Sequence, residues 1–599
     1  MLAYTARSAT DSLSRELQSL IRRAQTDWLP NLLFIVISFM DNPDFLVIGG
    51  GSAGAVVAAR LSEDPATRVL LVEAGHDTPP NALPADIADT FPTSSLNPDY
   101  FWPGLQAVRS SGGPPRPFPQ ARIMGGGSSV MGLWALRGVP SDFDAWTAAG
   151  AEGWGWTELL PYYRKLENDF DRDQSQTARG TYPIRRLPRH EWPGFVSAIE
   201  RAAVERGLPL VEDINEKPGE GFFPMPLSQD MTTRASSAHA YLTDAVRRRP
   251  NLRIMANACV TALLFDGLKA KGVNIDHAGK TVEITAHEIV LCAGAIHSPT
   301  ILLRAGIGPA DELQKIGIAP RLDRPGVGRN LQNHPYLHFA LTLPRRSRLK
   351  NTLRRFAIAG ARMSSGQPGA PPADLLLFTI GRVSPRNYGP DVAMVGCALY
   401  APYSRGAVSL MSPYADVSPR VEFRLFKDPR DPPRMLTAAR FTEALLCAPG
   451  VAATYNDAFL LPPVMSLHQF NRPGVIGDIL AVAAKAVLNA PAPVSRQIVG
   501  RVIRPGRWFA NKNKKDELSD EELLAAAAPM AHPVGSCSIG RADNPMAVVD
   551  PSCRVYGLSN LRVVDASVMP RVPSANTNLP TIMIAERAAE LIRQEQIRS

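Results

Sequence analysis

Three glycines in DFLVIGGGSAGAVVAARLSEDPATRVLLVEAG, residues 44–75, fall at the spacing G-x-G-x-x-G: Gly49, Gly51 and Gly54. The first allows a tight turn, the second lets the backbone approach a pyrophosphate, and the third lets a helix lie close on a strand. Ser52 and Ala53 complete the same phosphate loop with small side chains. Glu73 follows Gly54 by 19 residues, where a carboxylate takes ribose hydroxyls. A second small-residue loop, ARIMGGGSSV (121–130), sets Gly126, Gly127 and Ser128 behind Arg122. The first motif alone does not choose between NAD and FAD, and two such loops point to an extended cofactor. Far along the chain, AHPVGSCSIG (531–540) carries His532. An imidazole, with an ordinary pKa of about 6.5, suits a general base near neutral pH. A single histidine is more often a packed core or surface residue than a catalytic one, so the rest of the chain must decide.

The elements that position these groups are legible. Residues 45–48 form a short apolar run that suits a buried parallel strand. Residues 55–61 continue as a helix whose positive end faces the phosphates. RVLLVE is the second strand. Near the other end, NLPTIMIAERAAELIRQ predicts a helix beginning near Pro580, with Ile582, Ala585, Ala589 and Ile592 on one buried face. SANTN then lies at the positive end of that helix. LSDEELLAAAAPM holds a Ser519–Glu522 capping box, with Pro529 as the stop, which leaves His532 in the loop beyond.

With 599 residues the chain exceeds one ordinary core, so two or more domains are expected. The net charge of +9 is spread out and accompanies no nucleic-acid motif, so no nucleic-acid partner is expected. The densest basic run, RRSRLKNTLRR (345–355), reads as a solvated face. Six cysteines stand far apart without a C-x-x-C pair, which implies no metal site and a reduced, cytoplasmic setting. WLPNLLFIVISFM, within residues 1–40, is shorter than the roughly 20 residues a bilayer needs. Residues 1–40 therefore read as an N-terminal extension rather than a membrane anchor. FLLPPVMSLHQF stands out as apolar, and so does VIGDILAVAAKAVLNA (475–490). The second reads as a core helix of the substrate domain, ahead of a hydrophobic lid or membrane-docking helix.

Together these segments resemble the glucose-methanol-choline (GMC) family of FAD-dependent oxidoreductases. GAIHSPTILLRAGIG (294–308), with Ala305 where serine is usual, DRPGVGRNLQNHP (323–335) and NLRVVDASVMPRVPSANTNLPTIMIAE (560–586) carry the likeness. IGRADNPMAVVD and VPSANTNLPT draw it toward the family's oxidases of 5-(hydroxymethyl)furfural and aryl alcohols. The resemblance implies an α/β protein with two parts. A Rossmann-like FAD-binding domain would be assembled from discontinuous segments, 41–200, 245–335 and 526–599. An α+β substrate-binding domain with an antiparallel sheet would take 201–244 and 336–525.

It further implies His532 as the catalytic base, from an H-P-x-G-T/S stretch, and Asn576 as its partner on the substrate oxygen. Val260 would meet the adenine through its backbone, and Asp565 and Ala566 would lie along the ribityl-phosphate. Thr577 and Asn578 would meet the flavin at the helix end, and Met530 and Ala531 would line the substrate pocket. Ala531 stands where the oxidase-like relatives often carry an aromatic residue. Met131 stands where asparagine or histidine is usual, and Val130 where some members carry a histidine bonded to FAD, so non-covalent FAD is expected. The implied reaction is oxidation of primary aryl or medium-sized aliphatic alcohols to aldehydes, with hydride passing to flavin N5 and oxygen or another acceptor completing the cycle. Dehydrogenases that use a non-oxygen acceptor, lyases and light-driven decarboxylases built on the same fold are the alternatives.

Overall fold

The strand Phe45–Ile48 is buried along its whole length, as a parallel strand covered on both faces must be. This is a computed structural model, and it describes residues 42–172, 180–461, 471, 474–502, 507–511, 514, 515 and 517–598. Residues 1–40 and most of FLLPPVMSLHQF lie outside these. The first strand sits at the centre of a five-stranded parallel sheet, in the spatial order Leu561–Val563, Glu288–Leu291, Phe45–Ile48, Val69–Val72, Leu252–Met255. The helix Gly54–Leu61 follows directly, and a Cβ on Gly54 would fall 1.8 Å from the Gly49 carbonyl oxygen, so only glycine fits there. The C-terminal helix Asn578–Arg598 packs on it. Ile582, Ala585, Ala589 and Ile592 are its buried face, and Arg60 grips the buried Glu586 at 2.8–3.0 Å. The helix starts two residues before Pro580. Proline is tolerated there because amides of the first turn have no intrahelical partner.

A nine-stranded antiparallel sheet forms the second layer. Its central strands, Pro335–Thr342, Leu375–Ile380 and Val392–Leu399, alternate with the period of two that a pleated strand imposes. Leu337, Phe339, Leu341, Leu375, Leu377, Val395 and Cys397 turn to one face, where they meet the helices Gly194–Val204 and Asp431–Cys447. Tyr336, His338, Phe378, Ile380 and Met394 turn to the other face and line a cavity.

Three expectations need correction. Residues 194–204 pack in the second core, and Ala235, Ala238, Tyr241 and Leu242 pack in the first. The boundaries at 200 and 244 therefore cut through packed units. The helix Asp520–Ala525 has its Ser519–Glu522 capping box, but it ends before Pro529, which pairs with Pro335 in the sheet. The helix Val475–Leu488 is not a core helix, since Gly477 is its only buried residue. No described helix is long and apolar enough to cross a membrane.

Candidate active site

A cavity of about 870 Å³ runs from the parallel sheet to the inner face of the antiparallel one. At one end Glu73, Arg122 and residues 258–261 form its wall. The carboxylate of Glu73 accepts from the amides of Gly50 (2.7 Å) and Gly75 (2.8 Å), and burial raises its pKa. In the middle, the two glycine loops abut. Gly49 takes φ +98° and Gly126 φ +54°, and a Cβ on Gly126 would meet Gly51 Cα at 2.9 Å. Such a cradle of bare backbone lets a phosphate come close. Asp565 closes the floor, accepting from Gly294 N at 2.8 Å, Ser298 Oγ at 2.5 Å and Ser567 N at 2.7 Å.

At the far end stand His532 and Asn576. The chain before and after His532 pairs antiparallel with residues 332–336: Gln332 and Val534 exchange backbone bonds, and Met530 N donates to the His334 carbonyl at 2.9 Å. This register sets the His334 ring against His532, with the two Nδ1 atoms 2.9 Å apart. Asn576 precedes the C-terminal helix on a loop held by the half-buried Asp142, which accepts from Ser574 N (2.8 Å) and Ser574 Oγ (2.9 Å). Tyr400 lies stacked on His334, ring centres 4.2 Å apart, and donates its hydroxyl to Asn576 Oδ1 at 2.9 Å.

These contacts assign the tautomer. Asn576 Oδ1 takes the Tyr400 proton, so Asn576 Nδ2 faces His532 Nε2, 3.0 Å away. Nε2 then accepts, the proton sits on Nδ1, and it is donated to His334 Nδ1. His532 thus shows an unprotonated Nε2 on the cavity side. Burial pushes its pKa down to about 3, and burial together with the neighbouring His532 pushes His334 well below its ordinary value.

A family model described as GMC oxidoreductase matches residues 43–336, and its C-terminal counterpart matches residues 402–585. The chain belongs to the GMC oxidoreductases. The 5-(hydroxymethyl)furfural oxidase of Methylovorus sp. (strain MP688) is 37% identical over 563 residues, covering 92% of this chain and 98% of the relative. The oxygen-dependent choline dehydrogenase of Vibrio vulnificus (strain YJ016) is 30% identical over 582 residues, covering 92% and 94%. Among solved structures, pyridoxine 4-oxidase from Mesorbium loti is similar with a TM-score of 0.74 and 28% identity, covering 92% of this chain and 99% of that one.

As a GMC oxidoreductase the protein is an FAD-dependent enzyme acting on CH–OH donors. The cavity wall fits an extended dinucleotide. It carries bare glycine backbone at its centre, and His297 Nε2 and Arg304 Nε, buried in the wall, have no protein hydrogen-bond partner. Gly49, Gly51, Ser52, Ala53, Glu73, Arg122, Gly126, Gly127, Ser128, Val260, Asp565, Ala566, Thr577 and Asn578 all face the cavity, as do Met530, Ala531, His532 and Asn576. Two expected cofactor residues do not. Gly54 lies under the loop, where its role is packing. Val130, at the end of the helical turn Gly127–Val130, turns away, into a small core with Ile87, Tyr100 and Ile123. Met131 does line the cavity.

Sequence reasoning missed His334, Tyr400 and the sheet residues Tyr336, His338, Phe378 and Met394. The signal for His334 lay in the QNHP of residues 332–335, and for the others in the alternation of their strands. Gly396 belongs to the same face: a Cβ there would fall 2.1 Å from Phe378 Cζ, so its absence makes the slot in which that ring lies.

Proposed function

We propose that this protein oxidises primary aryl or medium-sized aliphatic alcohols to aldehydes, with His532 as the base and oxygen as the electron acceptor. The observation that carries the reading is the pair formed by His532 Nε2 and Asn576 Nδ2, side by side at 3.0 Å on the cavity wall. An alcohol oxygen placed on the cavity side, in front of both nitrogens, accepts from the amide and surrenders its proton to Nε2. Bound FAD supplies the acceptor for the hydride leaving the carbon. The imidazolium that forms keeps its Nδ1–H on His334, so the ring does not swing as it gains charge. Tyr336, Phe356, Phe378 and Trp134 border the same end and offer ring faces to an aryl group. Two relatives, 5-(hydroxymethyl)furfural oxidase and pyridoxine 4-oxidase, are named as oxidases, which supports oxygen as acceptor. FAD is held without a covalent bond, since Val130 offers no nucleophile and faces a core.

The test is anaerobic mixing of the holoenzyme with a panel of alcohols in the dark, followed by admission of air. Aryl alcohols should bleach the flavin, and air should restore the colour. A panel in which no alcohol bleaches it rejects the reading. Acid precipitation should release all yellow colour, and flavin left in the pellet rejects non-covalent binding.

A further inference from the structure

The helix Val475–Leu488 contradicts its own composition. Only Asp478 and Lys485 are charged, yet Val475 (74% exposed), Ile476 (74%), Ile479 (62%) and Val482 (71%) stand outward at helical spacing. The next helix, Ala492–Val502, packs beside it and adds exposed Val494 and Ile498. Both charges of the first helix stand at the edge of this face and are paired with the body, Asp478 remaining exposed. Asp478 pairs with Arg386, and Lys485 Nζ meets Asp391 Oδ2 at 2.6 Å. The outward ridge is left apolar.

The basic run 345–355 borders this ridge. Arg345, Arg348, Lys350 and Lys485 line one groove with Asn489, the residue that ends the first helix, and Arg348 Nη1 donates to Asn489 Oδ1 at 3.1 Å. Arg346 is exposed beside them. The buried Asp391 answers Arg348 and Lys485, while Arg345, Arg346 and Lys350 reach solvent. An apolar ridge edged by cations is the chemistry of an anionic lipid interface, with acyl chains under the ridge and phosphates at its rim. A second copy seated on this face would set the same cations against each other. At 14 residues and about 1.5 Å each the helix falls short of the ~30 Å hydrocarbon layer, so it would lie on the surface.

We propose that the ridge of 475–488 and 492–502, with Arg345, Arg346 and Lys350 at its edge, docks the protein on an anionic lipid surface. The position suits the enzyme. Val499 of the second helix packs against the cluster of Ala340 and Phe459, as Met394 does, and Met394 also lines the cavity. A lipid-dissolved alcohol would then meet the protein close to its site.

The experiment is co-sedimentation of full-length holoenzyme with vesicles of phosphatidylcholine alone, or of phosphatidylcholine mixed with phosphatidylglycerol. Binding should favour the anionic vesicles and weaken with salt. Two variants, Ile476→Asp with Ile479→Asp, and Arg345→Glu with Lys350→Glu, should each bind roughly tenfold or more weakly, while turnover of a water-soluble alcohol and the thermal midpoint stay unchanged. A parent that ignores both vesicle types overturns the proposal, and so does parental binding retained by both variants, which would place the contact elsewhere on the chain. A concentration-dependent dimer that Ile479→Asp dissolves, without vesicle binding, assigns the ridge to a second copy and also overturns it.

Discussion

As the proposed base, His532 would work through what its two nitrogens touch. His532→Ala should retain FAD and slow flavin reduction about 10²–10⁴-fold, the usual scale for a general base, measured by anaerobic stopped flow. Unchanged reduction would remove it from the mechanism. Asn576→Ala should slow the same step less, having lost one hydrogen bond and not the proton acceptor. His334→Phe keeps a ring stacked on Tyr400 but offers Nδ1–H of His532 no acceptor. It should lower kcat by roughly ten- to a thousandfold with little change in KM, as loss of a tautomer-fixing partner does. With its pKa pushed down to about 3, His532 stays neutral well below 6.5. kcat/KM should therefore remain level as pH falls from about 8 to about 5, where an unperturbed histidine would have cost most of the activity. His532 could be named as a candidate because its H-P-V-G-S stretch resembles a family motif. His334 lies 198 positions away, and its role comes from strand register, which the sequence of neither segment displays. Ala531 carries a narrower claim: Ala531→Trp should cut kcat/KM for a bulky alcohol far more than for a small one, and equal losses would show that it does not bound the substrate.

At the scale of elements, the loop 574–578 is the part most exposed to remote damage. Asp142 holds it by two bonds to Ser574 and also accepts from Val139 N at 2.9 Å. Asp142→Ala leaves those donors unpaired in a buried place and should cost about 1–3 kcal/mol of stability, read as a lower thermal midpoint, with kcat falling as Asn576 drifts. A variant with parental kcat would mean the loop keeps its position without Asp142. The phosphate loop and the C-terminal helix could be read because spacing alone defines them. The helix 475–488 could not, because a buried helix and one lying at an interface share the same composition, and only the neighbours decide. Pro529 misled for a related reason. Proline ends helices, but it also sits at strand ends, and its pairing with Pro335 is a tertiary fact.

For the molecule as a whole, burial of neutral imidazoles links folding to acidity. His532 and His297 are pushed down to about 3 and His338 to about 4, chiefly by burial. The unfolded chain protonates each near its ordinary value of about 6.5. Above that pH their contribution is level. Below it the unfolded state binds protons that the folded state refuses, so stability is lost as pH falls. The thermal midpoint should decline from about pH 6.5 to about pH 5, and removing one of these rings, as in His297→Phe, should flatten that decline. Domain organisation was legible in outline, since separated motifs had to meet around one cofactor. Its boundaries were not, because residues 194–204 and 235–242 choose their core by packing rather than by any break in composition.

The antiparallel sheet keeps its two duties on opposite parities. Odd-numbered positions such as Leu337, Phe339, Leu377 and Val395 hold the helices, while even-numbered Tyr336, His338, Phe378 and Met394 border the cavity. Inheritance can therefore alter one without the other. A descendant enzyme could exchange its even-numbered residues, and so the shape of its cavity, while the odd-numbered ones preserve foldability. Gly396 marks the limit of that freedom, because any side chain there collides with the Phe378 ring and the two positions must change together.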